Sequence, residues 1–280
     1  MSNRVVRIAS FSIACWCSFQ ASGQSLVPIP DKTVVLTFDD SVKNHRTFVA
    51  PLLQKYGFGA TFYVTHAWMK DTEHFMNWEE IQQLEAMGFE IGNHTWSHDL
   101  FHKPEAASRL PRDLERIDEA LEKVGVPKPI TFAWPANRFG PESREVLRKH
   151  GILFGRRGMQ PEFDYQDLGP GNLYDPKVHD PLLIPTAGDV YPNWTVDHFQ
   201  RVVDRAKDEK IAVLMFHGVP DVVHPWVTLD PDKFRDFMAY LFEEHFNVIA
   251  MRDLQRYVDP TSFPEDPMAK ARYNDVPLDR

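Results

Sequence analysis

Cysteine is nearly absent from this sequence: only Cys15 and Cys17 occur, both close to the amino terminus. The chain also has no run of about 18 uninterrupted apolar residues, which excludes a protein that crosses a membrane several times. Positive charge is in deficit, since 31 Lys and Arg residues oppose 40 Asp and Glu residues and give a net charge of −9. This balance argues against a nucleic-acid-binding protein that uses a broad basic surface.

The rest of the composition is typical of a globular protein. Hydrophobic residues make up 43% and charged residues 25% of the 280 positions. This length and composition allow a large core in one or two domains. Internal repeats and low-complexity segments are absent from the sequence.

Residues 1–23 have the pattern of a secretory signal peptide. Two arginines precede a largely apolar stretch over 8–19, and the small residues Ala21 and Gly23 suit cleavage at this point. A frayed amino-terminal extension is the alternative, because serines interrupt the apolar stretch. Cleavage would remove both cysteines and leave no thiol for catalysis, metal binding or a disulfide. We therefore expect a secreted or periplasmic protein without a transmembrane span in the mature chain.

Strand-like and helix-like segments alternate along the rest of the chain. Strands are predicted over 33–38, 59–65, 89–92, 130–133, 152–154, 211–216 and 247–250, with a further short candidate at 182–184. Helices are predicted over 44–56, 77–87, 104–124, 141–150, 195–209 and 230–244, and a final short helix ends near residue 258.

This alternation predicts parallel strand pairing and an α/β architecture. Seven or eight such units without a linker-like break favour a single barrel-like domain over 31–258, and an open doubly wound sheet is the alternative. The polar, proline-bearing tail over 259–280 is expected to be loosely ordered.

Polar residues follow four of the predicted strands, at the end where α/β barrels carry their chemistry. The four groups are Asp39-Asp40 after the first strand, His94 and His98 after the third, Trp134-Pro135-Ala136-Asn137 after the fourth, and His217 after the apolar strand near the carboxyl terminus. All four groups could therefore share one rim of a barrel.

The histidines and aspartates together suggest a metal site. His94 and His98 are four residues apart, so on one helical turn they would share a face and could bind one cation. Asp39 and Asp40 are adjacent carboxylates that repel each other, unless one binds a metal while the other acts as a base. For His217, a neutral core histidine is the alternative to a catalytic role.

At this point the sequence resembles the polysaccharide deacetylase family, also called the NodB-homology domain or carbohydrate esterase family 4. The motifs that carry the resemblance are Thr37-Phe38-Asp39-Asp40, His94 to His98, and Met215-Phe216-His217, in the family's order. Each motif alone is weak, but the three in order are specific. The resemblance covers roughly residues 31–257.

The resemblance implies a single catalytic domain with a distorted (β/α)7-type barrel. It implies that Asp39 is the general base and His217 the general acid of a deacetylase. It further implies a divalent metal, with Zn²⁺ favoured, and an acetylated glycan as the partner. The metal ligands implied by the resemblance are Asp40, His94 and His98.

The third family motif is altered in this chain. The usual arginine, which helps to position the base, is replaced by Ala133, and Arg138, Arg156 or Arg157 are candidates to substitute for it. The family's fourth motif is matched only approximately, in the segment 189–194. The residues predicted to bind substrate are Trp134, Pro135, Ala136 and Trp226.

Two other functions stay open on the sequence. A hydrolase of other non-peptide C–N bonds could use the same fold, although a complete metal set argues against a metal-free version. A non-catalytic carbohydrate-binding protein could have kept the fold, and the altered third motif is its only support. Among glycans, chitin-like oligomers, peptidoglycan, exopolysaccharide and acetylated xylan are all compatible with the motifs.

Overall fold

The computed structural model describes residues 26–158 and 170–270 of the chain. The predicted signal peptide, both cysteines and the last ten residues of the predicted tail lie outside these ranges. Within the two ranges, no helix combines the length and apolar character needed to cross a membrane.

In the described part of the chain, eight short strands form one parallel sheet. The strands are β1 Thr33–Phe38, β2 Thr61–Val64, β3 Glu90–Asn93, β4 Thr131–Ala133, β5 Phe154–Arg156, β6 Gly188–Asp189, β7 Ala212–Phe216 and β8 Asn247–Ile249. Seven of the predicted strands are therefore present, each within two residues of the predicted bounds. β6 was not predicted, because two residues are too few to show a periodic pattern.

The strand order is β5-β4-β3-β2-β1-β7-β6, and β8 adds to β1. β8 pairs with the first half of β1, where Thr33 faces Asn247, whereas β2 pairs with its end, where Thr37 faces Thr61. Ile184 forms an isolated parallel bridge with Arg156 of β5. The segment leading into β6 thus curls the sheet back toward β5, which confirms the distorted (β/α)7-type barrel and rules out the open doubly wound sheet.

Across residues 26–158 and 170–270, seven α-helices pack around this sheet. They are α1 Ala50–Tyr56, α2 Trp78–Ala86, α3 Pro104–Ala107, α4 Leu110–Lys123, α5 Pro141–His150, α6 Val196–Val203 and α7 Pro231–Glu243. A π-helical turn, His45–Val49, precedes α1, and 3-10 turns occur at Pro135–Asn137 and Met251–Arg256.

Two predicted helices differ from the structure. The helix predicted over 104–124 is divided into α3 and α4, because Pro111 has no N–H to donate to the carbonyl of Ala107. The helix predicted over 195–209 ends at Val203, and Asp208 and Glu209 adopt left-handed backbone conformations that a right-handed helix does not allow.

The central strand β1 contributes to two separate hydrophobic clusters. Val34, Leu36 and Phe38 pack into the cluster that contains the helices α1 and α7, whereas Val35 packs into a cluster with residues of β5 and β8. Side chains of a strand alternate between its two faces, so both faces of β1 are covered. Burial of all six residues fixes the position of the two aspartates that follow.

The first turn of α2 has a reciprocal capping box, which the three-residue spacing of Asn77 and Glu80 in the sequence predicts. The backbone N–H of Glu80 donates to Oδ1 of Asn77, and the N–H of Asn77 donates to Oε2 of Glu80, both at 2.9 Å. Two backbone donors that lack helical partners are thereby satisfied.

Replacing this cap should lower the stability of the domain. We expect Asn77→Ala to reduce the free energy of unfolding by about 1 kcal/mol, since an N–H at the helix start loses its acceptor. Urea denaturation measures the change, with Asn193→Ala in an exposed loop as the control. Equal effects of the two substitutions would show that the cap contributes nothing specific.

Candidate active site

Asp39 and Asp40 lie directly after β1, at the carboxyl end of the sheet. The backbone N–H of Asp39 donates to the carbonyl of Phe216 at 2.9 Å and so extends the pairing of β1 with β7. Asp40 then adopts a left-handed conformation, with φ of 74°. Both carboxylates are nearly inaccessible, with 2% and 4% of their surface exposed.

His94 and His98 lie on an irregular loop after β3 and not on a helical turn. Thr95 and His98 have φ values of 65° and 56°, so the chain cannot continue as a helix here. The two imidazole rings nevertheless meet, with their centroids 4.8 Å apart. The predicted proximity is correct, but the predicted local geometry is wrong.

Side chains within and below this loop hold it in place. Oδ1 of Asn93 accepts a hydrogen bond from the N–H of Thr95, and Oγ1 of Thr95 accepts one from the N–H of His98. Asp113 of α4 accepts hydrogen bonds from both the N–H and the hydroxyl of Ser97, at 2.9 and 2.6 Å. The loop therefore gains its shape from hydrogen bonds that a regular helix would not need.

The structure brings Asp40, His94 and His98 together. Oδ1 of Asp40 lies 3.4 Å from Nε2 of His94 and 3.5 Å from Nε2 of His98. The possible ligand atoms of these three residues all lie within 4.8 Å of one another. His217 approaches from the other side, with its Nε2 3.7 Å from Oδ2 of Asp40.

This donor set fits a divalent cation. Nδ1 of His94 contacts the carbonyl of Ala133 at 2.8 Å, and donation there leaves the Nε2 lone pair free to coordinate. Within the described part of the chain, Oδ1 of Asp40 is buried and accepts no hydrogen bond. A buried carboxylate oxygen without a donor is costly unless a cation binds it.

The charges around Asp40 favour its ionised form. Burial by itself raises the pKa of Asp40, but His98, His94 and His217 together lower it far below its usual value. Burial also lowers the pKa of His98 to about 4, so this ring is neutral at neutral pH. A carboxylate beside a neutral imidazole is the state in which both side chains can bind a metal.

Asp39 contacts a different partner, Arg156 at the end of β5. Nη2 of Arg156 donates to Oδ2 of Asp39, and the arginine side chain is fully buried. Of the three arginines proposed to replace the missing one, Arg156 is thus the one that reaches the predicted base. Arg157 instead donates to the backbone carbonyls of Leu183 and Lys270.

A polar network continues from Arg156 toward β6. Nη1 of Arg156 donates to Oδ1 of Asn137 at 3.3 Å, and Nδ2 of Asn137 donates to Oδ2 of Asp189 at 3.3 Å. Asn137 belongs to the altered third motif, and Asp189 begins the segment that only approximately matched the fourth. Asn137 therefore contacts Arg156 directly and Asp189 contacts Asn137. The altered motifs gave no sign of either contact in the sequence.

Trp134 does not line the site. Its indole ring has 0% of its surface exposed, packs on Phe132 and donates from Nε1 to the carbonyl of Leu182 at 3.0 Å. The prediction that Trp134 contacts substrate is therefore wrong for this side chain, because a core ring offers no face to a sugar. Pro135 is buried as well, whereas Ala136 is half-buried with φ of 47° and Trp226 is 47% exposed.

Sequence reasoning missed two residues that hold the loop after His217. Nε2 of His45 contacts the backbone carbonyl of His217 at 3.1 Å, and Oδ1 of Asn44 accepts a hydrogen bond from the N–H of Val219 at 2.9 Å. Burial lowers the pKa of His45 to about 4, so it is a neutral donor to this carbonyl. The sequence pattern showed only that Asn44 and His45 start a helix.

Comparison with known proteins agrees with these motifs. Residues 27–155 match the family model described as polysaccharide deacetylase, and this segment contains Asp39, Asp40 and both loop histidines. Residues 27–155 of the chain are thus similar to the polysaccharide deacetylases. The family resemblance predicted from the sequence is thereby confirmed.

Two curated relatives each match only part of the chain. The poly-β-1,6-N-acetyl-D-glucosamine N-deacetylase of Escherichia coli K12 is 30% identical over a match that covers 44% of this chain and 25% of the relative. The uncharacterized protein YlxY of Bacillus subtilis is 30% identical, covering 32% of this chain and 26% of the relative. The chain thus spans about a quarter of the length of these relatives.

Solved structures share the fold at low sequence identity. A family 4 acetyl xylan esterase from Clostridium thermocellum superposes with a TM-score of 0.54 at 19% identity, covering 88% of this chain and 100% of that one. BA3943, described as a family 4 pseudoenzyme from Bacillus anthracis, gives 0.53 at 16% identity, covering 84% and 71%. These similarities establish the barrel fold.

The site should bind one divalent cation through its three clustered side chains. We expect Zn²⁺ titrated into metal-free protein to bind at one equivalent, and His98→Ala to weaken binding at least tenfold because one ligand is lost. Isothermal titration calorimetry measures both. His245→Asn, at an exposed position whose left-handed backbone suits Asn, is the control and should bind like the parent.

Proposed function

We propose that this protein is a metal-dependent hydrolase that removes acetyl groups, chiefly N-acetyl groups, from a carbohydrate polymer or oligosaccharide. The observation that carries the proposal is the joint position of three possible ligands and two candidate proton-transfer groups. Asp39 and His217 flank the cluster of Asp40, His94 and His98 on the carboxyl end of one sheet.

Asp40, His94 and His98 would hold the cation, which supplies the Lewis acidity that polarises the acetyl carbonyl. Zn²⁺ is favoured because two imidazoles and one carboxylate form an open site typical of catalytic zinc. The related deacetylase from E. coli and the structurally similar xylan esterase act, by their names, on acetylated glycans.

Asp39 is proposed as the general base. Its carboxylate accepts a proton from water as the oxygen of that water attacks the acetyl carbonyl. The buried guanidinium of Arg156 donates to Oδ2 of Asp39 and keeps this carboxylate oriented. Arg156 is therefore a positioning residue in this proposal.

His217 is proposed as the general acid. Its protonated ring donates to the nitrogen of the substrate as the C–N bond breaks, which produces acetate and a free amine. Without that proton the amine would be a poor leaving group. Contacts from Asn44 and His45 hold the backbone at and after His217, so the acid has a fixed starting position.

The proposed location is outside the cytoplasm, secreted or periplasmic. The support is the signal-peptide pattern over residues 1–23 together with the glycan substrate in the name of the E. coli relative. The net negative charge suits a neutral or cationic glycan better than a polyanionic one.

Acetate release tests the proposed function directly. We expect the purified protein to release acetate from at least one of chitin oligomers, poly-β-1,6-N-acetylglucosamine, peptidoglycan and acetylated xylan. Chelation should abolish the release and Zn²⁺ should restore it. Asp39→Asn should lower kcat by about 10²-fold or more while metal binding is kept.

Three outcomes would count against this proposal. Chelator-resistant turnover would contradict the role of the metal, and near-normal turnover by Asp39→Asn would contradict the base. Sugar binding without acetate release at any metal loading would favour a non-catalytic carbohydrate-binding protein. Activity on cyclic amides alone would favour a hydrolase of other C–N bonds.

The role of Arg156 can be tested apart from the metal. Arg156→Met keeps a long side chain but removes the charge that orients Asp39, so we expect kcat to fall at least tenfold with little change in KM. Arg156→Lys keeps the charge and should recover part of kcat. Steady-state kinetics measures kcat and KM separately for both variants. An equal decrease of kcat in both variants, together with a raised KM, would indicate a purely structural role for Arg156.

A further inference from the structure

Tyr63 of β2 is a large buried side chain to which the proposed mechanism gives no role. Phe62 and Val64 of the same strand pack into the cluster that contains α1 and α7. Side chains alternate along a strand, so Tyr63 points to the opposite face of the sheet, toward the barrel interior. Its surface is 0% exposed. The ring therefore lies inside the barrel, one residue before β2 ends at the rim that carries the site.

The ring of Tyr63 occupies space that a glycine leaves open. Tyr63 pairs with Gly92 of β3 in the parallel register. A Cβ at Gly92 would lie 2.4 Å from both Cδ1 and Cε1 of Tyr63. This is far less than the separation of about 3.5–4.0 Å at which carbon atoms pack. The bare backbone at Gly92 is therefore what allows the tyrosine ring to lie here.

The face of this ring lies against the guanidinium of Arg156. Cζ of Arg156 is 5.5 Å from the centroid of the Tyr63 ring. The same guanidinium donates to Oδ2 of Asp39 and to Oδ1 of Asn137. A cation within about 6 Å of an aromatic face is attracted to it, and the attraction is stronger where water is excluded. Tyr63 thus adds a further contact to the hydrogen bonds that hold this guanidinium.

A second buried carboxylate inside the barrel is satisfied by other donors. Glu90 of β3 is 3% exposed and lies on the same face of its strand as Gly92. Its oxygens accept hydrogen bonds from the hydroxyls of Thr61 and Thr131 at 2.6 and 2.8 Å. They also accept one from the N–H of Arg252 at 2.7 Å. Glu90 therefore does not need the positive charge of the interior arginine, which stays directed to the proposed base.

We propose that Tyr63 is a positioning residue for the general base, because its ring fixes the guanidinium that orients Asp39. This inference rests on the proposed function and deepens it by adding a residue of the barrel interior to the same site. Tyr63 acts through Arg156 and not on the substrate. Its removal should therefore lower turnover without weakening the binding of the metal.

A double-mutant cycle on acetate release tests this role. Tyr63→Leu should lower kcat roughly three- to tenfold with little change in KM, whereas Tyr63→Phe keeps the ring face and should retain most of kcat. In the Arg156→Met background, where the cation is absent, Tyr63→Leu should lower kcat no further. If Tyr63→Leu does not fold, Tyr63→Met replaces it, because methionine fills the space without a ring.

Zn²⁺ binding is measured beside turnover, because the ring of Tyr63 also lies 6.4 Å from that of His94, a proposed ligand. Calorimetry should give the affinity of the parent protein for Tyr63→Leu. Weaker Zn²⁺ binding that accounts for the loss of turnover would overturn the proposed role.

Phe199→Leu is the matched control, because Phe199 of α6 is also 0% exposed and stacks on another ring, that of Phe237, at 4.3 Å. Whatever its effect on kcat, the factor should be the same in the parent and in Arg156→Met, since separate sites act additively. An equally additive result for Tyr63→Leu, or an equal loss of kcat in Tyr63→Phe, would overturn the proposal.

A failure of the proposed function would be recognised separately. If the parent protein releases no acetate from any glycan, NMR of protein with 15N-labelled arginine measures rotation of the Arg156 guanidinium about its Nε–Cζ bond. The signal is identified by its loss in Arg156→Lys. Rotation several-fold faster in Tyr63→Leu than in Tyr63→Phe and the parent would support the contact although the deacetylase proposal had failed. Equal rates in the three proteins would overturn it.

Discussion

The charge of two adjacent buried carboxylates, Asp39 and Asp40, is the constraint on which the rest of the site depends. Each is nearly inaccessible, and together they would be strongly destabilising without compensation. The structure separates their partners: the guanidinium of Arg156 lies at Asp39, and the imidazoles lie around Asp40. Neighbouring carboxylates therefore have different surroundings, which is why the proposed function gives one the role of base and the other the role of metal ligand.

Such partners can meet only because the barrel brings distant segments to one rim. The strand that carries Arg156 is far from β1 in the sheet order, yet the curl of the sheet places its side chain against Asp39. Left-handed backbone conformations at Asp40, His98 and Ala136 lie at the same rim. Such conformations are costly for these residue types, and a rigid frame of buried strands is what maintains them.

The two sides of the site differ in character. Toward β5 and β6 the site is a buried polar network of Arg156, Asn137 and Asp189, which orients a charge. Toward the loop after β7 it is a row of aromatic rings that ends in an exposed indole. The fold alone does not decide activity, since a structural neighbour is described as a pseudoenzyme.

Much of this arrangement could be predicted from the sequence, because it depends on local patterns. The buried strand before Asp39, the cap at Asn77 and the order of the motifs are all readable along the chain. The partner of Asp39 could not be predicted from the sequence, because three arginines were equivalent candidates. Only the curl of the sheet brings Arg156 to Asp39. The burial of Trp134 and the exposure of Trp226 were likewise undetermined, since both follow strand ends and only tertiary packing decides which ring meets solvent.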